Sequence, residues 1–211
     1  MICAFIGCYD EEESNAPISG TGKTCGMTGF GKLDYDIGKI IWSNYHTTFS
    51  HEIMGMQAMV NKIKTEKINY DLVLLISEMQ NILDSCGSTQ NEILFIDSFL
   101  RQLRKVGEDA GSVDLYYDQQ RFMSLQKRLR IHTTNILIPF KTHFDNSPCY
   151  STKCKDIHKI YIYSYKPFIQ KEIVIFNAPE VGKLYNTYEI VYDKLDIPKK
   201  TKKESIDIGK V

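Results

Sequence analysis

The chain has 211 residues, 43% hydrophobic and 25% charged, values of an ordinary folded domain that exclude collagen-like, coiled-coil and wholly disordered readings. Its 26 Lys and Arg balance 26 Asp and Glu, so no global field attracts a polyanion and any contact with nucleic acid must be local. No window approaches the ~20 apolar residues of a membrane span, the start MICAFIGCYDEEES lacks a basic signal-peptide region, and six scattered cysteines favour reduced thiols in a cytosol-like compartment.

Taken in chain order, residues 2–7 (ICAFIG) are the first strand-length apolar run. A glycine-containing segment, SGTGKT, leads into a helix expected over 23–32. A second strand is expected at 39–45, a helix at 51–64 and a third strand at 71–77. Ile93, Ile96, Leu100, Leu103 and Val106 recur at helical intervals, with Arg101, Arg104 and Lys105 on other faces. Strands at 113–118 and 135–140 flank a helix at 124–131. Strands alternating with helices predict an α/β fold with a mostly parallel central sheet covered by helices on both sides. Beyond Thr142 the pattern changes: the runs 159–165 and 172–177 lie close together and read as a late β-hairpin or two added edge strands. A single domain is expected over 1–197, followed by a mobile lysine-rich tail over 198–211.

The chemistry concentrates at Ser19, Gly20, Thr21, Gly22, Lys23, Thr24 and Cys25. Two glycines let successive amides turn inward around phosphates, Lys23 supplies positive charge, the Thr24 hydroxyl can ligate Mg²⁺, and the helix that begins here adds its positive dipole end. The pattern GxxxxGK[ST] wants a glycine where Pro17 stands, which points to an insertion after Gly7. A phosphate loop of this kind needs a second strand that delivers carboxylates. The run DLVLLISE fits, with Glu78 as general base and Ser77 where a magnesium-associated aspartate usually stands, reaching the metal through a water. At the end of the next strand, Gln120 is the candidate polar sensor of the γ-phosphate and Gln119 the second choice; Arg128 and Arg130 are candidate arginine fingers toward a neighbouring subunit.

In order along the chain, SGTGKT, IIWSNYHTTF, LVLLISEMQ, FLRQLRKVGED, QQRFMSLQKRLR and GKLYNTYE resemble the small P-loop ATPases of the FtsK-HerA superfamily. Within it they are most similar to genome-packaging ATPases of tailless icosahedral viruses and prophage-like elements of archaea, with the Zot-like assembly ATPases of filamentous phage as cousins. The resemblance implies a RecA-like (ASCE) P-loop NTPase core that uses ATP and Mg²⁺. It also implies a homo-oligomeric ring that drives double-stranded DNA into a capsid, in the host cytoplasm or associated with the virion. Glu78 then takes the catalytic glutamate role, Gln120 the sensor role, and Arg128 or Arg130 a finger acting in trans. Alternatives are a Zot-like motor for virion assembly or extrusion, and a nucleotide-dependent switch in which Ser77 marks weak hydrolysis. Arg101, Lys105 and the tail lysines Lys199, Lys200, Lys202 and Lys203 are available for salt-sensitive phosphate contacts.

Two further clusters stand outside this reading. His143, Cys149, Cys154 and His158 are donor types that zinc accepts, but the spacing x5, x4, x3 matches no standard finger, and Pro148 and Tyr150 favour a loop ordered without metal. Tyr161, Tyr163 and Tyr165 alternate and so share one face of a strand, read as a half-buried sheet face.

Overall fold

The computed structural model describes residues 1–8, 21–82, 98–100, 103, 111–124, 127–149, 154, 156–166 and 174–190. In chain order these form β1 (Ile2–Cys8), α1 (Lys23–Asp36), β2 (Ile40–Ser43), β3 (Tyr45–Thr47), β4 (Glu52–Ile53), α2 (Met56–Thr65), β5 (Leu72–Ile76) and α3 (Met79–Ile82). Then come β6 (Val113–Arg121), a 3-10 turn at Phe122–Ser124, α4 (Lys127–His132), β7 (Asn135–His143), β8 (His158–Lys166), β9 (Val174–Asn177), α5 (Ala178–Gly182) and β10 (Tyr185–Ile190). Of the helix expected around Ile93 to Val106, residues 98–100 and 103 are helical; Arg101, Arg104 and Lys105 lie outside the described residues, as do Pro17, Ser19, Gly20 and the lysine-rich tail.

The apolar runs assemble into one eight-stranded sheet in the order β4-β2-β5-β6-β1-β7-β8-β9. The strands from β4 to β7 pair in parallel, whereas β8 and β9 add antiparallel at one edge, as the change of pattern beyond Thr142 predicts. Leu72, Val73, Leu74, Leu75 and Ile76 of β5 are all fully buried, because a central parallel strand is covered on both faces. Period-two alternation divides them. Leu72, Leu74 and Ile76 join Met56, Met59, Val60 and Ile63 of α2, together with Phe99, Leu100 and Leu103, in one core layer. Val73 and Leu75 join Phe5, Ile41, Tyr116 and the α1 residues Cys25 and Met27 in the other. Each fully buried Leu or Ile contributes about 2 kcal/mol of burial free energy.

Helix α1 is not strongly amphipathic because it packs through small residues. A side chain at Gly31 would come within 2.7 Å of Leu75, so glycine here lets the helix lie directly on β5. The helix runs to Asp36, past the expected end at residue 32, because Asp34 is anchored by the Tyr116 hydroxyl at 2.6 Å and the Lys39 ammonium at 2.9 Å. The segment before α2 is partly strand: Glu52 and Ile53 pair with Trp42 and Ser43 before the helix begins at Met56. A two-stranded antiparallel sheet of β3 and β10 was not anticipated; it brings Tyr185 against Tyr45 and toward the start of α1. No helix among the described residues is long and apolar enough to cross a membrane.

Candidate functional site

In a parallel sheet the strand carboxyl ends and helix amino ends meet along one edge, and the sequence places its polar residues there. Gly22 caps the start of α1 in the left-handed region (φ 91°), which only glycine adopts without strain, and a Cβ on it would lie 2.6 Å from Ile160 Cδ1. The backbone conformation at this junction demands glycine, whereas the Ile160 Cδ1 contact lies at the tip of a flexible side chain. The Thr21 hydroxyl beside it is buried with no hydrogen-bond partner among the described residues. Lys23 and Thr24 occupy the first turn of a 14-residue helix whose free amides and dipole favour an anion.

Asp118 of β6 is the centre of the arrangement. Its Oδ2 accepts the Thr24 hydroxyl at 2.5 Å and the Ser77 hydroxyl at 3.0 Å, while its Oδ1 accepts the Glu78 backbone N–H at 2.5 Å. The residue is completely buried. Burial pushes its carboxyl above the ordinary range, against the opposing pull of the Thr24 hydroxyl, the Glu78 N–H, Lys23 and the Ser77 hydroxyl. The β5 end is held from its other side by Asn44, whose amide donates to the Ser77 carbonyl at 3.0 Å and whose Oδ1 accepts the Ser77 N–H at 2.7 Å. The Ser77 hydroxyl is thus committed to Asp118.

Glu78 follows in a left-handed backbone conformation (φ 56°), a strained state for a residue with a side chain, fixed here by the Asp118 and Asn44 clamps. Its half-buried carboxyl is raised above the usual range, first by burial and then by the Asp118 charge; Lys23 and a hydrogen bond from the Gln80 amide oppose this. A cavity of about 370 Å³ opens over the junction, lined among others by Lys23, Thr24, Glu78, Gln120, Lys141 and Tyr185. That volume falls within the range of small-molecule and cofactor sites.

Sequence reasoning selected Thr21, Gly22, Lys23, Thr24, Cys25, Ser77, Glu78 and Gln120, and the fold gathers these at one edge; Ser19 and Gly20 lie outside the described residues. Gln120 is exposed toward the cavity, whereas Gln119 points to the opposite face, buried, and donates to the Arg121 carbonyl at 3.1 Å. Arg128 and Arg130 sit on α4 and do not line the cavity; the Arg130 guanidinium donates to the Met123 sulfur at 3.0 Å. Two residues escaped notice. Asp118 reads as one more core position of a strand, and Lys141 falls beyond the expected end of β7, which runs three residues further, to His143.

No family model matches the sequence, and no curated protein does. Among solved structures, the chain is similar to the N-terminal domain of zonular occludens toxin from Neisseria meningitidis, at 13% identity over 88% of this chain and 98% of that one, with a TM-score of 0.49. It is also similar to the genome packaging NTPase B204 from Sulfolobus turreted icosahedral virus 2 in complex with ATP-gammaS, at 12% identity over 83% and 96%, with a TM-score of 0.47. A third similar structure, the pCW3 conjugation coupling protein TcpA, shows 11% identity over 85% and 64%, with a TM-score of 0.42. The strand carrying Asp118, β6, lies between β1 and β5 in the sheet, and all three pair in parallel, so the chain has an α/β fold with a mostly parallel central sheet.

Proposed function

We propose that this chain binds ATP with Mg²⁺ at the amino end of α1 and hydrolyses it, and that in a homo-oligomeric ring this turnover moves double-stranded DNA, as in packaging of a viral genome into a capsid. The observation that carries the chemical half is the convergence of Thr24, Ser77 and the Glu78 amide on the Asp118 carboxylate, next to Lys23. The orphaned Thr21 hydroxyl and the left-handed turn at Gly22 fit a polyphosphate. Lys23 and the first amides of α1 bind its oxygens. Thr24 and Asp118 form the hydroxyl–carboxylate pair that a hard divalent cation prefers, directly or through its waters. Bound Mg²⁺ supplies charge neutralisation at the phosphates.

Glu78 takes the proton of the attacking water; its raised affinity for a proton makes it the stronger base once ionised. Gln120, exposed over the cavity, orients that water or contacts the γ-phosphate. Arg128 and Arg130, which do not line their own cavity, serve a neighbouring subunit. The coupling to DNA rests on the resemblance of the sequence blocks to packaging ATPases.

The test is steady-state ATP hydrolysis with and without double-stranded DNA, beside Lys23→Ala and Glu78→Gln. Turnover that DNA stimulates and both substitutions abolish is the expected result. Absence of wild-type turnover, with ATP binding that Lys23→Ala removes, would replace the motor with a nucleotide switch. Turnover indifferent to DNA would remove the translocase and leave the ATPase.

A further inference from the structure

At the far end of the β7–β8 hairpin, four side chains that the ATPase chemistry does not use converge. We propose that His143, Cys149, Cys154 and His158 bind one Zn²⁺ as a closed structural site, contrary to the expectation from Pro148 and Tyr150 that the loop is ordered without metal. One ligand atom from each lies within 4.8 Å of all the others.

The backbone explains how so irregular a spacing yields a cluster. His143 and His158 are directly opposed in the antiparallel β7–β8 pair, which brings their rings to 4.7 Å. After His143 the chain turns tightly. Asp145 Oδ1 accepts the Ser147 N–H at 2.9 Å, Asn146 adopts a left-handed conformation (φ 67°), and the Ser147 carbonyl accepts the His143 N–H at 2.9 Å. The returning strand bridges Pro148 to Thr142 and sets the Cys149 N–H on the Lys141 carbonyl at 3.0 Å, so Cys149 returns beside His143.

A second, independent observation points to a ligand. His158 is 6% exposed, and its Nε2 is buried with no hydrogen-bond partner among the described residues. Such an atom costs on the order of 1–3 kcal/mol unless something binds it. Asp156, 73% exposed, places a carboxylate oxygen 3.7 Å from His143 Nδ1 and 3.3 Å from Cys154 Sγ, where an outer carboxylate can orient the imidazole. Two thiolates and two imidazoles suit zinc and not the oxygen-seeking Mg²⁺ or Ca²⁺, and four protein ligands leave no open position for catalysis. Zinc–sulfur and zinc–nitrogen bonds of about 2.3 and 2.0 Å require the ligand atoms to close to about 3.3–3.8 Å, a contraction of roughly 1 Å. Cys154, the one cysteine of the four ligands that is not buried, can supply it. The metal would also fix the nucleotide cavity, because Lys141 and Ile160, each two residues from a ligating histidine, both line it.

The experiment is the zinc content of the tag-free full chain, measured by elemental mass spectrometry, with Cys154→Ser and Cys149→Ser beside it. Expected are one zinc per wild-type chain, loss in both variants, and thiolate-to-cobalt charge-transfer absorption when the wild-type chain is refolded with Co²⁺. A chelator should lower the wild-type melting temperature and leave the variants unmoved. The proposal is overturned if the wild type carries no more zinc than the variants and Co²⁺ gives no thiolate band. It is equally overturned if the native chain holds a Cys149–Cys154 disulfide without metal. The cobalt spectrum is read on the wild-type chain, so it decides the matter even where a variant fails to fold.

Discussion

Replacing Asp118 with asparagine separates what the residue does for chemistry from what it does for the fold. The shape is nearly unchanged: an amide oxygen can still accept the Glu78 N–H, and the Thr24 and Ser77 hydroxyls, at 2.5 and 3.0 Å, can rotate to accept from the amide nitrogen. The charge is what goes. If Asp118 holds the cation's environment, turnover falls on the order of 100-fold, or ~2.7 kcal/mol, the scale of losing one preorganised electrostatic group. Stability moves the other way. Burial raises the folded-state affinity of Asp118 for its proton above that of an unfolded carboxyl, so its contribution to stability falls as pH rises from the unfolded value through the folded one. Asparagine escapes that loss, and the variant should be more stable than the wild type near neutral pH, a gain that shrinks as pH falls below both values. Thermal unfolding across pH and steady-state hydrolysis measure the two halves. Ser77→Ala, which removes one of three donors, should change turnover no more than about fivefold. Wild-type turnover in Asp118→Asn, or destabilisation at neutral pH, would refute the reasoning.

Glu78 titrates where turnover can read it. Its carboxyl is raised by burial and by Asp118, so the acidic limb of the kcat–pH profile should lie above the ordinary carboxylate range, and Asp118→Asn should move it lower on whatever turnover it retains. A limb at the usual carboxylate value in both proteins would remove Glu78 as the base. Gly22→Ala must place a side chain at φ 91° and within 2.6 Å of Ile160 Cδ1; a stability loss of about 1–2 kcal/mol and weakened ATP binding are expected from thermal unfolding and nucleotide titration, and unchanged binding would show that the loop closes without that turn.

Much of the architecture was legible because burial on both faces imposes a simple rule. Leu72 to Ile76 has no polar interruption, and a five-residue run of that kind has few other homes than the middle of a parallel sheet. Met56, Met59, Val60 and Ile63 mark α2 by their spacing, although its start is five residues later than expected because Glu52 and Ile53 first pair with β2. The β3–β10 sheet escaped because neither strand carries its own signal. Tyr45, His46 and Thr47 become a strand only when Tyr185 and Asn186 arrive from the far end of the chain, and nonlocal pairing leaves no local period to read.

The site divides along the same line. Gly22, Lys23 and Thr24 stand at consecutive positions, so their spacing was visible; Asp118 meets Ser77 across 41 residues, and only sheet register joins them. In the β5–β6 pair, Ile76 faces Tyr117, so the next residue on each strand is Ser77 and Asp118, side by side at the carboxyl edge. On the proposed reading, the carboxylate expected at the end of β5 is supplied one strand over, at the same height and against the same threonine. A serine at 77 is then not the loss of a charge but half of an exchange. A full aspartate there would set two carboxylates against each other in a site already dry enough to raise the one it has. The small hydroxyl donates to Asp118 instead, and the two positions hold one acid between them.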